Sequence, residues 1–393
     1  MPTTVTVPGA NNTAIPNPYG TPQNLAIAQQ ISNMLFNEQQ NSNLHVAYSD
    51  QNPGTPPDGY VGELAVTVPG GGSVTLPGGY SITAIDQTVT DPVTVNGGGS
   101  LFVGNTPVTY YGASSPAPVL VAAGDGTDLF SLPQGQTYNV AAGSGQDSFY
   151  ANGSGTVTGG SGDNLFFAGN PTMGGGNNIV NSYGGADTII AGEGAVTVSS
   201  YGADPVVWGG SGPLIFYGEA AGNPTVYGGT GQETLYGGAG ENLTYLDGNT
   251  STTGANILAA GAGNETLNAG GATYGVRLAA GSGSDSLIGS TGNDTFYGGA
   301  GTATMTGNGG SDIFMFGNSA GASGGTSIIT DFNSNDIFEV TGYGANAAQN
   351  ALSAATVTGS GSNATTTVQL ADNTTIVFLH VSDPSTIQNQ SFV

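Results

Sequence analysis

Between about Ala122 and Phe316, single apolar residues recur at a period near nine, each in a short run set between glycines and small polar residues. The best-formed phrases are Gly289-Ser-Thr-Gly-Asn-Asp294-Thr-Phe296-Tyr, Ala280-Gly-Ser-Gly-Ser-Asp285-Ser-Leu287-Ile and Ala142-Gly-Ser-Gly-Gln-Asp147-Ser-Phe149-Tyr. The x-apolar-x half makes a very short strand with one side chain turned inward. The glycine half turns tightly, because glycine adopts positive φ without steric cost. Two phrases, roughly 18 residues, make one turn of a flattened coil, and successive coils stack about 4.8 Å apart. The predicted fold is all-β: a parallel β-solenoid, or β-roll, of about eleven turns across 122–316. Its predicted inward ladder is Phe130, Phe149, Phe166, Ile189, Val206, Phe216, Leu235, Leu267, Leu287, Phe296 and Phe314. No repeat buries its own rung, so stacking makes the core.

The flanks break this rhythm. Residues 1–20 are rich in Pro, Asn and Thr and predict an extended segment with one short strand around Val5 and Val7, either loose or donated to a neighbouring molecule. Residues 22–41 predict the one amphipathic helix, with Thr21 as N-cap, Pro22 in the first turn and Leu25, Ala28, Ile31 and Leu35 on one stripe. It is expected to cap the first coil or to serve as an assembly contact. These make an N-terminal module, 1–60. Residues 61–121 read as degenerate coils of the same solenoid. After Phe316, residues 317–393 predict a C-terminal cap: a short helix over Ala345–Ala355, then a β-hairpin with strands at Thr365–Val368 and Thr375–Val381.

Composition narrows the chemistry. Twenty-six acidic residues face one basic residue, Arg277, giving a formal net charge of −25, although only 7% of the 393 residues are charged. Such a chain cannot build the basic patch that nucleic acid or an anionic membrane requires. Divalent cations are the natural counter-charge. There is no cysteine, which removes disulfides and thiolate chemistry. The opening residues have neither the basic nor the apolar region of a secretory signal peptide, and no apolar run is long enough to span a bilayer. His45 and His380 lie in no H-E-x-x-H frame. His380 is expected within a hairpin strand, and Arg277 as a structural partner of a carboxylate. No catalytic set is assembled, and the expectation is a non-enzymatic protein. Trp208 and the ninth-position Tyr150, Tyr217, Tyr227, Tyr236 and Tyr297 are expected on the outer face.

Calcium follows from the turns. Turn carbonyls and a sixth-position carboxylate on adjacent coils offer the hard oxygens that Ca²⁺ prefers. The sixth position holds Asp128, Asp147, Asp187, Asp204, Asp285, Asp294 and Asp312, with Glu233 and Glu265 as substitutes; the acid is lost at Asn164, Leu214, Asn242 and Ala303. Asp294 and Asp312 are eighteen residues apart, on one edge of consecutive coils, with Asp285 half a turn away. The 280–315 segment is therefore the first-choice calcium site.

From about residue 120 onward the chain resembles the RTX (repeats-in-toxin) proteins exported by type I secretion. The resemblance rests on the nonapeptide array and on its exit, Asp312-Ile-Phe-Met-Phe316, Ile328-Ile-Thr-Asp331-Phe and Asp336-Ile-Phe338. It adds Asp331 and Asp336 to the candidate metal ligands. It also implies an uncleaved C-terminal secretion signal and folding outside the cell when calcium is met. The resulting expectation is a secreted protein that binds itself head to tail in an extracellular filament, surface layer or biofilm matrix. The alternative is a calcium-dependent adhesin for surface polysaccharide.

Overall fold

A computed structural model describes residues 2–9, 13–51, 53–67, 70–115, 117–169, 175–202, 204–247, 255–318 and 324–392. It divides into two compact units, residues 1–198 and 199–393. Both are parallel β-solenoids whose strands alternate between two sheets, here called I and II.

In the first unit, sheet I runs from Leu44–Tyr48 and Val61–Val66 through Val119–Ala122 and Thr137–Ala141 to Asn178–Ser182. Sheet II runs from Gly72–Thr75 through Leu129–Leu132 to Thr188–Ala191. Coiling thus begins at Leu44, earlier than residue 61. The register aligns the inward residues coil upon coil. Phe130, Phe149, Phe166 and Ile189 stand in one column, and the phenylalanine rings stack at centroid separations of 5.3 and 4.8 Å. Such stacking adds about 0.5–1.5 kcal/mol per pair beyond burial.

The N-terminal segment forms a two-stranded antiparallel hairpin, Thr3–Pro8 with Ala14–Tyr19, rather than one extended strand. Helix α1, Pro22–Gln40, starts in a reciprocal cap between Thr21 and Asn24. It buries Ile27, Ala28, Ile31 and Leu35, whereas Leu25 is only half-buried. The helix does not cover the open end of the first coil. It lies over the outer face of sheet I, where Ala65, Ala84, Phe102, Ala122 and Ala141 form one column across successive strands. Four alanines in that column allow close approach, and the sequence pattern of the helix alone could not reveal them. Polar contacts fix the assembly: Asn24 Nδ2 donates to the Ala123 carbonyl at 3.0 Å, Asn17 Nδ2 to Ile85 at 2.8 Å, and Ser32 Oγ to Thr6 at 2.6 Å.

In the second unit, sheet I includes Leu214–Gly218, Thr295–Tyr297, Ile313–Gly317, Ile337–Thr341 and finally Asn389–Phe392, all parallel to their neighbours. Sheet II includes Val206–Trp208, Ser284–Ile288, Thr302–Thr306 and Thr326–Ile329, then Thr375–Leu379 in parallel. The strands Thr365–Gln369 and Thr356–Thr358 extend that sheet by two antiparallel pairings. Helix α2, Ala347–Ser353, lies within the predicted 345–355 stretch. One part of the predicted ladder is shifted. Val207, not Val206, is buried, so Pro205 occupies the sixth position and Asp204 is exposed before it. Tyr245 is likewise the inward residue of its phrase, which moves Asn242 out of the sixth position.

Many of the stacked turns leave no room for a side chain. A Cβ on Gly145 would overlap the carbonyl oxygen of Gly126 on the preceding coil, whereas one on Gly78 would meet nothing within 4 Å. Gly145→Ala is expected to destabilise the protein by at least about 1–3 kcal/mol, and Gly78→Ala to leave it within about 0.5 kcal/mol of wild type, as read by denaturant unfolding.

Candidate metal centre: carboxylate columns along the coil edges

The sixth residue of each phrase lies where the chain leaves its turn and enters a strand. Its N–H faces the next coil. Where that coil carries Asp or Asn at its sixth position, the side chain there can accept the N–H, and two columns are built this way. In the first unit the Val108 N–H donates to Asp128 Oδ1 at 2.7 Å, Asp128 to Asp147 at 2.8 Å, Asp147 to Asn164 at 3.0 Å, and Asn164 to Asp187 at 2.8 Å. The second unit repeats this on the opposite edge: Val276 to Asp294 at 2.7 Å, Asp294 to Asp312 at 2.9 Å, and Asp312 to Asp336 at 3.0 Å. Asp285 accepts the Glu265 N–H at 3.2 Å on the edge that carries the turns from sheet I to sheet II. The structure therefore brings Asp128, Asp147 and Asp187 into one column, and Asp294, Asp312 and Asp336 into another. Asp331 makes no rung of the second column but lies beside it, near enough for its charge to raise Asp312 and Asp336, and caps the Gly307 and Asn308 N–H groups with its two oxygens.

The sixth side chain is thus first a backbone acceptor. Asn performs that task without charge, as Asn164 does and as Asn256 does for the Glu233 N–H. Phrases in which Asn replaces the acid keep the rung and lose only the carboxylate, whereas those with Leu214, Ala303 or Pro205 have no side-chain acceptor there. Glu241 is another buried acid that the nine-residue frame does not pick out. It lies next to the displaced Asn242, and its Oε2 accepts the Gly238 N–H at 2.9 Å.

What remains after the rungs are made differs from site to site. Asp128 Oδ2, Asp147 Oδ2, Glu233 Oε2, Glu241 Oε1 and Glu265 Oε2 are buried with no hydrogen-bond partner. Asp285 Oδ2 accepts the Gly281 N–H, Asp294 Oδ2 the Ser290 N–H, and Asp336 Oδ2 the Asn333 N–H. Ser290, which replaces the second glycine of its phrase, also donates its hydroxyl to Asp294 Oδ1 at 2.8 Å. In the 280–315 segment, then, Asp285 and Asp294 already have both oxygens engaged. The unmatched Asp oxygens belong to Asp128 and Asp147, outside the first-choice segment.

Burial without a cation makes these groups resist ionisation. Desolvation pushes Asp147 and Asp312 up to about 7, and Glu233 to about 7. Asp128 is raised by burial and then by the charge of Asp147. Asp187 reaches only about 6, because Ser182 and Asn164 donate hydrogen bonds to its charged form. Among the described residues no three His, Cys, Asp or Glu side chains cluster around a point, so a cation here must draw on backbone carbonyls as well. Glycine turns bring them close: a Cβ at Gly126 would stand 3.0 Å from the Thr106 carbonyl oxygen and 3.2 Å from both the Asn105 carbonyl oxygen and Asp128 Oδ1. Carboxylate oxygens beside turn carbonyls are a donor set of the hard, oxygen-only kind that suits Ca²⁺.

Neither histidine contributes. His45 packs beside Tyr80, with ring centroids 6.0 Å apart. His380 lies just past its hairpin strand rather than within it, at φ 65°, with Nδ1 against the Ser362 carbonyl. Arg277 is exposed in the column Ile257–Arg277–Thr295. The aromatic residues divide between faces. Tyr150, Trp208 and Tyr227 are on sheet II, and Tyr217, Tyr236 and Tyr297 on sheet I, so they form no single stripe.

Parallel coils, glycine turns and a buried sixth-position carboxylate define the β-roll class. Within it, a family model of the RTX calcium-binding nonapeptide repeat matches four copies, at residues 174–198, 220–243, 250–273 and 279–317. With the parallel solenoid, these copies fit an RTX β-roll protein, and RTX nonapeptide repeats bind Ca²⁺. No curated protein and no solved structure matches the chain.

Two outcomes follow for the carboxylates. Asp147→Asn keeps the acceptor for Asp128 and removes the charge. It should leave the calcium-free melting temperature unchanged or higher and reduce the rise that calcium produces, whereas Asp147→Ala should lower both; scanning calorimetry with calcium and with chelator reads this. The second concerns pH. Raised carboxyls keep their protons in the folded chain at pH values where the unfolded chain has lost them. The calcium-free protein should therefore be most stable below about pH 4, lose stability as pH rises to about 7, and level off above. Saturating calcium should flatten or reverse that slope.

Proposed function

We propose that the protein is a secreted, non-enzymatic structural protein that self-assembles outside the cell into a filament, surface layer or biofilm matrix, with calcium promoting folding and assembly. The observation that carries this reading is the buried, unmatched carboxylate oxygens of Asp128, Asp147, Glu233, Glu241 and Glu265 in a chain with a single basic residue. Such a core is poorly satisfied where calcium is scarce and gains most where calcium is abundant, which suits a protein that matures outside the cell. Most of the described chain is coil, turn and end structure, and no described helix is long and apolar enough to cross a membrane. RTX repeat proteins are typically secreted.

A second reading, an adhesin for surface polysaccharide, draws on Trp208, 47% exposed, and its aromatic neighbours. The rings, however, stack on one another: Trp208 on Tyr227 at 4.1 Å and Tyr217 on Tyr236 at 5.4 Å. Sugars pack against ring faces, and stacking spends those faces on neighbouring coils. The assembly reading is favoured for that reason.

Negative-stain electron microscopy of the purified chain in millimolar calcium and in chelator tests it. Ordered polymers in calcium that disperse in chelator are expected. Isolated particles at every protein concentration, together with retention on a glycan array, would transfer the function to the adhesin.

A further inference from the structure

Sheet II has an unpaired margin in each unit. In the first unit its first strand is Gly72–Thr75, which pairs only with Val93–Asn96 among the described residues. Sheet I has already laid down two strands, Leu44–Tyr48 and Val61–Val66, while the described residues between them make no strand in sheet II. One strand position of sheet II is thus empty. It appears as a slot of about 480 Å³, with Leu64 and Val66 of sheet I and Val74 among its apolar lining and Pro53 and Pro77 beside them.

In the second unit the outermost strand of sheet II is Thr356–Thr358, paired only with Thr365–Gln369 among the described residues. All three of its residues are exposed, and Val357 keeps 40% of its surface in water. Two reversals set its direction. Thr375–Leu379 runs parallel to Thr326–Ile329, Thr365–Gln369 runs against it, and Thr356–Thr358 against that. The last strand therefore points the same way as the coil strands. Its faces also match. Val357 stands opposite Thr366, which stands opposite the buried Phe378, so Val357 is on the core side. Val74 stands opposite Val95, also buried, and is on the core side of its own unit.

We propose, resting on the assembly reading above, that Thr356–Thr358 of one molecule adds in parallel to the edge of Gly72–Thr75 of the next, with Val357 entering the slot above Leu64 and Val66. The occupant is a second copy of this chain because direction, face and size agree. A parallel edge needs a partner running the same way, and the core side needs an apolar residue between two small polar ones. Charge does not oppose it: neither strand carries an ionisable side chain, and Asp50, the one carboxylate in the slot's lining, meets no acid on Thr356–Thr358. Unpaired strand edges are ready templates for such addition. A contact between two different surfaces that does not close propagates as a fibre.

The test uses the full-length chain in calcium. Val357→Asp changes an exposed residue, so its melting temperature should match wild type, while the protein concentration needed for assembly should rise at least about tenfold. The cysteine-free background permits a second measurement. Thr356→Cys and Ser73→Cys proteins, mixed and oxidised, should give a cross-linked dimer that neither variant forms efficiently alone, since neighbouring strands hold Cα atoms at disulfide range. If wild type polymerises but Val357→Asp assembles equally well and no mixed cross-link forms, assembly stands and this joint is wrong. If wild type never polymerises, both the assembly reading and the joint are wrong.

Discussion

One backbone N–H per phrase governs this architecture. The sixth residue leaves its turn with its amide pointed at the following coil, and a buried amide without an acceptor costs about as much as a lost hydrogen bond. In the columns that run through Asp128 and Asp312 a side chain on the following coil reaches it, and Asp and Asn are the residues that do so; elsewhere a carbonyl of the following coil serves, as Gln232 does for Leu214. Once Asp is chosen for that geometric task, its second oxygen is carried inside with it. Acidity of the core is thus partly a by-product of satisfying the backbone, and a divalent cation resolves the resulting excess of buried negative charge.

The same constraint separates two roles that a repeat consensus merges. Asn164 and Asn256 hold the coils together without adding charge. Asp294 uses Ser290 to occupy its remaining lone pairs, so a phrase close to the consensus becomes self-sufficient. Asp128 and Asp147 have no such help. Fidelity to the motif and appetite for metal are therefore different properties, and in this chain they do not run in parallel.

Much of the architecture was legible in the sequence. The nine-residue spacing marks the coils, and inward residues such as Phe149 and Phe296 lie where alternation puts them. Thr21 and Pro22 mark the helix start. The misplacements have identifiable causes. At Val207 and Tyr245 the phrase slips by one residue, and an apolar residue on either side of the inward position hides the slip: Val206 beside Val207, and Leu246 beside Tyr245. The resting place of helix α1 depends on four alanines and Phe102 contributed by five separate coils, a column that exists only after the coils have stacked. The state of each carboxylate depends on neighbours such as Ser290 and Ser182, which a position-by-position consensus leaves as free choices.

The rungs also have a direction. In both columns each donating amide is satisfied by the coil that follows it in sequence. In the second unit the series ends at Asp336, whose own N–H turns back to the Asn333 carbonyl of its own turn at 3.1 Å. That coil needs nothing from a later one. Growth from Asp336 towards Asp312, Asp294 and Val276 leaves every sixth-position donor matched as it is buried, whereas growth in the other direction always carries one unmatched donor at its front. The column is a ratchet in time as well as a ladder in space: its chemistry favours folding that begins at the C-terminal side and advances against the order of synthesis.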